Sequence, residues 1–328
     1  MTIGILITGG AGFIGSHLAA HYLEEGFDVT IWDNLVRGTL DGRLWEWIKD
    51  KRLTFSNVDL TDTGMLSDLE RNEFDIVFHL AAINGTRFFY EIPYEVIRVN
   101  LISLFNILEL LPEFDDPKLV WTSSSEVYAG SFEVAELPIP TPEDVPLSIS
   151  DVFNPRFSYA GSKIAGELIC LNYARAHDLD ISIVRPHNIY GPKMGREHVI
   201  PEFLLRIFKE ENPFPIYGAE NSRAFCYVAD FIKGLEKVAS SRNTNGEILN
   251  LGNDEEVKII ELAELMFDIL NFHPKVEVFP APLGSVLRRC PDIDKVRKLV
   301  GYEPEISLQE GIKRTCEWQR RSENNVGI

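Results

Sequence analysis

Short, largely apolar and β-branched runs recur through the first half of the chain, at Ile3–Thr8, Asp28–Asp33, Leu53–Val58, Ile76–Leu80, Leu119–Ser123 and Ile181–Arg185. Each predicts a strand. Between them, Ile14–Glu25, Gly64–Glu70, Glu95–Leu111 and Arg156–His177 carry helical patterns, with apolar positions three and four apart. Strand and helix in alternation, with unbroken apolar strands, predict a doubly wound parallel sheet covered on both faces. Past Arg185 the character changes. "RPHNIYGPKMGREH" predicts an irregular loop, Val199–Glu210 a helix, "FPIYG" a short strand, "EILNLGND" a buried strand and Ile259–Leu270 a helix. Residues 1–180 are expected to form the sheet domain and 187–328 mainly a smaller lobe, with strands near 181–186 and 247–252 returning to the main sheet. Phe132–Asn154, rich in Pro, Glu, Asp and Ser, predicts a long surface excursion, the kind of segment that more often binds than fills.

The first strand runs into "TGGAGFIGSHL". Gly9, Gly12 and Gly15 lie three apart, and Gly10, Gly12 and Gly15 match GxGxxG. A strand, a tight glycine turn and a helix give a bare backbone for a pyrophosphate at a helix N-terminus, where free N–H groups and the macrodipole favour anions. Asp33 ends the second strand eighteen positions beyond Gly15. A carboxylate there accepts the adenine-ribose hydroxyls and repels a 2′-phosphate, so the expected cofactor is NAD in a Rossmann-type fold. Arg37 pulls the other way, since an arginine accommodates that phosphate. Asp59 and Leu60, after the third strand, suit the adenine edge. Leu80, Ala81 and Ala82 end the fourth strand with residues small enough for a backbone to pass the cofactor.

Composition adds boundaries. Of 328 residues, 45% are hydrophobic and 25% charged, which predicts a globular chain. The net charge of −18 argues against nucleic acid or an anionic membrane as partner. No apolar run reaches membrane-spanning length, and "MTIGILITGG" lacks the basic start of a signal peptide. Cys170, Cys226, Cys290 and Cys316 show no metal-ligand spacing, so no metal is expected. Together these predict a cytoplasmic protein with reduced thiols.

"RFSYAGSKIAGEL" places Tyr159 and Lys163 one helical turn apart, which any amphipathic helix does. The wider set of motifs gives the pair meaning. "TGGAGFIGSHL", "DNL", "HLAA", "SSSEVY", "YAGSK", "RPHNIYGP", "RAFCYVAD", "NLGN" and "RRCPDIDKVRKLVGYEP", in this order, resemble the extended short-chain dehydrogenase/reductases, specifically the NAD-dependent epimerase/dehydratase family acting on nucleotide sugars.

The resemblance implies that Tyr159 is the catalytic acid/base, with Lys163 lowering its pKa and holding the nicotinamide ribose. A free phenol titrates near 10, so it needs neighbouring positive charge to take a proton at neutral pH. Ser124 would orient the reacting hydroxyl, or cap the turn that follows. Glu126 stands where relatives that act beyond C4, the 4,6-dehydratases and glucuronate decarboxylases, carry a Glu. Once C4 is a ketone, a carboxylate there assists chemistry at C5 and C6. Ser125 precedes it where dehydratases often have an Asp, and Ala129 replaces a usual glycine. Phe13, Ile14, Asn34, Asn100 and Pro186 complete the implied cofactor set. Ser125, Asn188 and Arg223 are implied substrate contacts, joined by one of Arg288 and Arg289, with Arg288 the choice. Arg87 matches an arginine of some glucuronate-processing relatives. His187, aromatic in many relatives, is read as a shape filler rather than a titrating group.

The expected reaction is transient C4 oxidation of a nucleotide hexose followed by chemistry at C5 or C6, of the 4,6-dehydratase or decarboxylase type. A 4-epimerase is the alternative, since it needs only Tyr159, Lys163 and Ser124. A non-catalytic NAD sensor or scaffold, and a reductase using free NADPH, are rivals opposed by the intact Tyr–Lys pair and by Asp33 respectively. A homodimer through Glu95–Leu111 and Arg156–His177 is the family expectation.

Overall fold

The computed structural model describes residues 3–69, 73–281 and 285–326. The strands are β1 (Gly4–Thr8), β2 (Asp28–Asp33), β3 (Leu53–Asn57), β4 (Ile76–His79), β5 (Lys118–Thr122), β6 (Asp180–Pro186) and β7 (Ile189–Tyr190). They continue with β8 (Phe214–Tyr217), β9 (Ser222–Ala224), β10 (Cys226–Tyr227), β11 (Ile248–Leu251), β12 (Glu256–Lys258), β13 (Val276–Phe279) and β14 (Arg288–Arg289). The helices of the first half are α1 (Phe13–Glu24), α2 (Gly42–Lys49), α3 (Thr63–Ser67), α4 (Thr86–Glu91), α5 (Pro93–Leu110), α6 (Ala129–Val134) and α7 (Phe157–His177). Those of the second are α8 (Val199–Phe208), α9 (Val228–Ser240), α10 (Ile259–Leu270), α11 (Asp294–Val300) and α12 (Leu308–Val326).

Seven strands form one parallel sheet in the order β11-β6-β5-β4-β1-β2-β3. The order reverses at β1, and such a switch point leaves a crevice beyond the strand ends. Alternation along β1 explains why the strands read as unbroken apolar runs. Ile5 and Ile7 enter the core shared with α1 and α9, while Leu6 enters the core under α5 and α7. Both faces are dry. A Rossmann-type doubly wound sheet is therefore what the chain builds, with helices on both sides.

Segments of the second half return to this sheet: β6 and β11 pair in parallel, Ile248 opposite Ile183, and α9 packs on α1, β5 and β6. The remaining strands make three small sheets, β12-β9-β14, β10-β7 and β13-β8.

Several details depart from the sequence reading. The helix expected over Gly64–Glu70 is the short α3, capped by Asp62, whose side chain accepts the amides of Gly64 and Met65; Glu70 lies outside the described residues. The loop after Pro186 contains β7, which pairs with β10. The Phe132–Asn154 excursion begins inside α6 and is pinned rather than loose. Thr141 bridges Pro291, and its amide donates to the Cys290 carbonyl at 2.9 Å.

Candidate active site

The turn after β1 is shaped by what a side chain would hit. A Cβ on Gly15 would stand 2.3 Å from the Gly9 carbonyl oxygen, so α1 approaches the strand closely only with glycine there. Gly9 has φ +69°, and its Cβ would meet the Ala81 amide at 2.8 Å. Gly12 is the N-cap of α1 and offers no side chain to cap it, so the first-turn amides, which include Phe13 and Ile14, have no capping side chain. This is the cradle a pyrophosphate requires.

Asp33 closes the cradle from the end of β2. Its Oδ2 accepts the Ala11 amide at 3.1 Å and its Oδ1 the Leu35 amide at 2.8 Å. Burial raises its pKa, against these two bonds and Lys193. Asn34 turns its carbonyl onto the Val36 amide, and Asp59 caps Thr61, so both shape loops. Leu60 is buried, and Asn106 donates to its carbonyl. Leu80 and Ala81 are tied to β1 by bonds to the Thr8 backbone and hydroxyl, with Ala82 next in line. Asn100 is buried between elements: it accepts the Ile83 amide at 2.7 Å and donates to Ser162 of α7. Pro186 ends β6 beside the crevice. Arg37, the one residue that weakened the case for NAD, instead lies over the Phe88 ring, 4.8 Å from its centroid. These groups fit NAD.

Tyr159 and Lys163 occupy the first turns of α7, both buried. Phe89 of α4 stacks on the Tyr159 ring at 4.8 Å and 12°. The expectation that Lys163 lowers the phenol's pKa does not hold in this arrangement. Lys163 donates to the Thr122 carbonyl at 2.7 Å, and its ammonium sits 5.7 Å from the Tyr159 ring centroid. Burial raises the phenol well above its ordinary value; Ser124, by hydrogen bonding, and Arg37, by charge, draw it back, while Glu126 opposes them. Burial also depresses Lys163 to about 8. Of the two uses foreseen for Ser124 the cap is seen: its hydroxyl accepts the Glu126 amide at 3.1 Å and caps the single turn Ser125–Tyr128.

Glu126 lies in a cage of arginines. Arg289 donates through Nη1 to its Oε1 at 2.6 Å, and Arg156 Nη2 stands 3.7 Å from Oε2. Burial would raise this carboxyl, yet Arg289, Arg156 and Arg223 hold it below the ordinary range. Arg223 in turn is pushed down to about 10, by burial first and then by Arg289 beside it. Ser125 is buried next to Glu126. Asn188 donates to the Ala224 carbonyl at 3.0 Å, holding its loop against β9.

The choice of Arg288 is corrected. Arg288 is turned outward in an ion pair with Glu256 at 2.6 Å, and Arg289 faces the site. Neighbouring residues on a strand point to opposite faces, and β14 pairs Arg289 with Arg223 across the sheet. Arg87 is half-exposed on α4 and pairs with Glu91 and Glu197, at 3.3 and 3.6 Å, outside the Glu126 cage.

Sequence reasoning missed Arg156, three residues before Tyr159, and the buried support beneath the site. There Glu167, one turn beyond Lys163, makes a bidentate pair with Arg185, both bonds 2.7 Å, and accepts from Ser123 at 2.6 Å. Arg185 also donates to Tyr128, which donates to Asn250 at 2.8 Å. No spacing signal links residues that far apart in the chain.

Comparison with known proteins agrees with this geometry. The model of the NAD dependent epimerase/dehydratase family matches residues 5–252. A UDP-N-acetyl-alpha-D-glucosaminuronate decarboxylase of Bacillus cytotoxicus is 33% identical over 330 residues, covering 98% of both chains. A UDP-glucuronate 4-epimerase of Thermodesulfobacterium geofontis is 34% identical over 324 residues, covering 97% of this chain and 96% of the relative. The crystal structure of a dTDP-glucose 4,6-dehydratase from Streptomyces venezuelae, solved with NAD bound, superposes with a TM-score of 0.85 at 27% identity over 98% of each chain. The glycine cradle, Asp33 and the buried Tyr159–Lys163 pair thus belong to an enzyme: the chain is a member of the NAD-dependent epimerase/dehydratase family, with NAD as its cofactor.

Proposed function

We propose that the enzyme oxidises C4 of a nucleotide-linked uronic sugar and then releases the C6 carboxylate as carbon dioxide. The observation that carries this reading is the Glu126 cage. Three guanidinium groups around one carboxylate make the cleft locally cationic in a chain of net charge −18, and an anionic sugar needs such focusing. Relatives named for uronate substrates support it.

Tyr159 takes the C4 hydroxyl proton while Ser124 orients that hydroxyl. NAD, which the glycine turn, Asp33 and Lys163 would hold, would supply the hydride acceptor and donor for C4 and a positive charge that favours the phenolate. With C4 a ketone, the C5–C6 bond breaks heterolytically; its electron pair passes to the C4 oxygen as an enolate and the carboxylate leaves as carbon dioxide. C5 then takes a proton and Tyr159 returns one to the C4 oxygen. Arg289, Arg156 and Arg223 hold the anionic substrate, and Asn188 lines its path.

Loss of water in a 4,6-dehydratase fits less well. It calls for a neutral acid to protonate the departing hydroxyl. Ser125 occupies the position where an Asp would stand, and Glu126 is held ionised. Decarboxylation needs no acid for its leaving group. A 4-epimerase is the second reading, since Tyr159, Ser124 and Lys163 suffice for it and a 4-epimerase is among the similar proteins.

Incubation with UDP-glucuronate, UDP-glucose and dTDP-glucose, with NMR of the products, separates these outcomes. Carbon dioxide and a UDP-pentose are expected from UDP-glucuronate alone. A C4-inverted uronate with its carboxylate retained establishes the epimerase, and loss of the C6 hydroxyl from a glucose substrate the dehydratase.

Tyr94, Ile97 and Phe105 of α5 and Leu168 of α7 are exposed apolar residues on two helices that pack together, which supports a homodimer joined through this pair. Phe105→Glu with Leu168→Glu is expected to halve the mass read by light scattering; an unchanged mass removes this interface. A cytoplasmic setting is supported by four buried, unpaired cysteines.

A further inference from the structure

Residues 191–198, between β7 and α8, form two successive turns. The Met194 amide donates to the Gly191 carbonyl at 3.2 Å and the His198 amide to the Gly195 carbonyl at 3.4 Å. The segment is anchored outside the main sheet at both ends, since β7 pairs with β10 and α8 packs on α10 and α12. Between those anchors it is fastened to the sheet domain at three places.

The first is α1. Nε2 of His17 lies 2.9 Å from the Pro192 carbonyl oxygen; a carbonyl only accepts, so this nitrogen carries the proton and donates it. His17 stands one turn after Phe13, the first residue of α1, and meets that ring edge to face at 5.8 Å. The second is the loop after β2. Lys193 Nζ lies 3.1 Å from Asp41 Oδ2 and donates to the Thr39 carbonyl at 3.5 Å. That loop wraps the cofactor cradle: the Thr39 amide donates to the Ala11 carbonyl at 3.1 Å, and a Cβ on Gly38 would stand 3.0 Å from Asp33 Oδ2. The third is α4, where Glu197 Oε1 stands 3.6 Å from Arg87 Nη1.

α1 follows β1 and α4 follows β4. β1 and β4 are neighbours at the point where the strand order reverses, so the segment is fastened on both sides of the crevice. The fastenings are unequal. Arg87 and Glu197 are each more than half exposed, and such pairs contribute little. Only 14% of the Lys193 side chain is exposed, so water screens its ion pair less.

In the decarboxylase and epimerase readings alike, the hydride leaves the sugar and returns to it within one turnover. No step calls for a fresh cofactor. We propose that residues 191–198 are a strap that keeps NAD resident between turnovers, latched by the Lys193–Asp41 ion pair and by the His17 bond to Pro192. Cofactor enters and leaves when these latches open, whichever sugar is processed.

The ion pair can be cut from either side. Asp41 caps α2 through Oδ1, which accepts the Leu44 amide at 2.9 Å, and meets Lys193 through Oδ2. Asp41→Asn therefore removes the charge and keeps a capping side chain. Lys193→Met keeps the apolar stem, and His17→Phe keeps a ring against Phe13 without the donor. Two rates are measured on the holoenzyme. One is exchange of bound NAD for isotope-labelled NAD, read after gel filtration. The other is deuterium uptake by peptides of the strap, read by mass spectrometry.

Both rates are expected to rise about tenfold in Lys193→Met and in Asp41→Asn, and about threefold in His17→Phe, as loss of one charged and one neutral hydrogen bond would give. The double variant Lys193→Met with Asp41→Asn should match the single ones, because each removes the same pair. Added salt should speed NAD exchange in the wild type and leave Lys193→Met unchanged. This salt series reads the same latch should a variant fail to fold. Faster NAD exchange with deuterium uptake at the wild-type rate means that Lys193 holds the cofactor directly, and overturns the strap. Faster uptake with unchanged NAD exchange overturns it too, since the segment then moves without releasing cofactor. Additive effects in the double variant, equal rates in every protein, or a wild type indifferent to salt also refute the latch.

Discussion

Tyr159 and Lys163 were legible as a pair because catalysis needs a phenol and an ammonium on one helix face, and one turn is the shortest spacing that provides it. Their electrostatics were not legible. Lys163 is spent on the Thr122 carbonyl, and burial governs the titration of both groups. Burial lowers Lys163 from an ordinary 10.5 to about 8, and the sign of its effect on stability follows. Between these pH values the unfolded chain binds more protons at this site than the folded chain, so stability rises with pH across the window. Below about pH 8 the folded state carries the whole cost of the buried charge. Relative to Lys163→Met, the wild type should gain roughly 3 kcal/mol between the two limits. Urea unfolding of both proteins at a series of alkaline pH values measures this. A difference that stays flat shows that Lys163 titrates like a solvated lysine.

At the scale of elements, the parallel sheet and helices α1, α5 and α7 were predictable from periodicity, because strands buried on both faces leave an unbroken apolar signature; α2 and α4 were not read from it. The β–α turn was predictable from its glycines. How closely α7 lies on β5 was not. A Cβ on Gly166 would stand 2.4 Å from the Trp121 ring, so glycine at this point lets the catalytic helix settle against the sheet. Gly166→Ala forces the two apart, with an expected loss of about 1–3 kcal/mol in stability. The same shift carries Tyr159 away from Ser124, and kcat should fall about tenfold or more, as sub-ångström misplacement does. Unfolding curves and steady-state kinetics on one preparation test both. An unchanged kcat in a destabilised protein confines Gly166 to packing.

Across the whole molecule, one buried network joins parts distant in the chain. Ser123 at the end of β5, Glu167 on α7, Arg185 on β6, Tyr128 after β5 and Asn250 on β11 are linked by hydrogen bonds. Asn250 extends it to Thr141 of the excursion and Asp292 of the C-terminal segment. Breaking a buried ion pair on one side leaves a charge uncompensated. Arg185→Met should cost about 3–5 kcal/mol, and the double change with Glu167→Leu should recover much of that, since an apolar pair of similar volume is often neutral. Urea denaturation of the single and double variants is the measurement. A double variant no better than the single one means that the network holds the strands by more than this pair.

The sequence by itself determined the sheet, the glycine turn with its strand-end acid and the Tyr159–Lys163 pair, because each depends on residues close together in the chain: alternating strands and helices, three glycines and an aspartate, a tyrosine and lysine one turn apart. Tertiary structure alone decided which arginine meets Glu126. Arg288 and Arg289 are adjacent and chemically alike, and only the pairing of β14 with β9 turns one to solvent and the other inward. It also brought Arg156 to the same carboxylate. Such meetings depend on the register between strands and on where long connections are pinned, and neither leaves a local pattern in sequence.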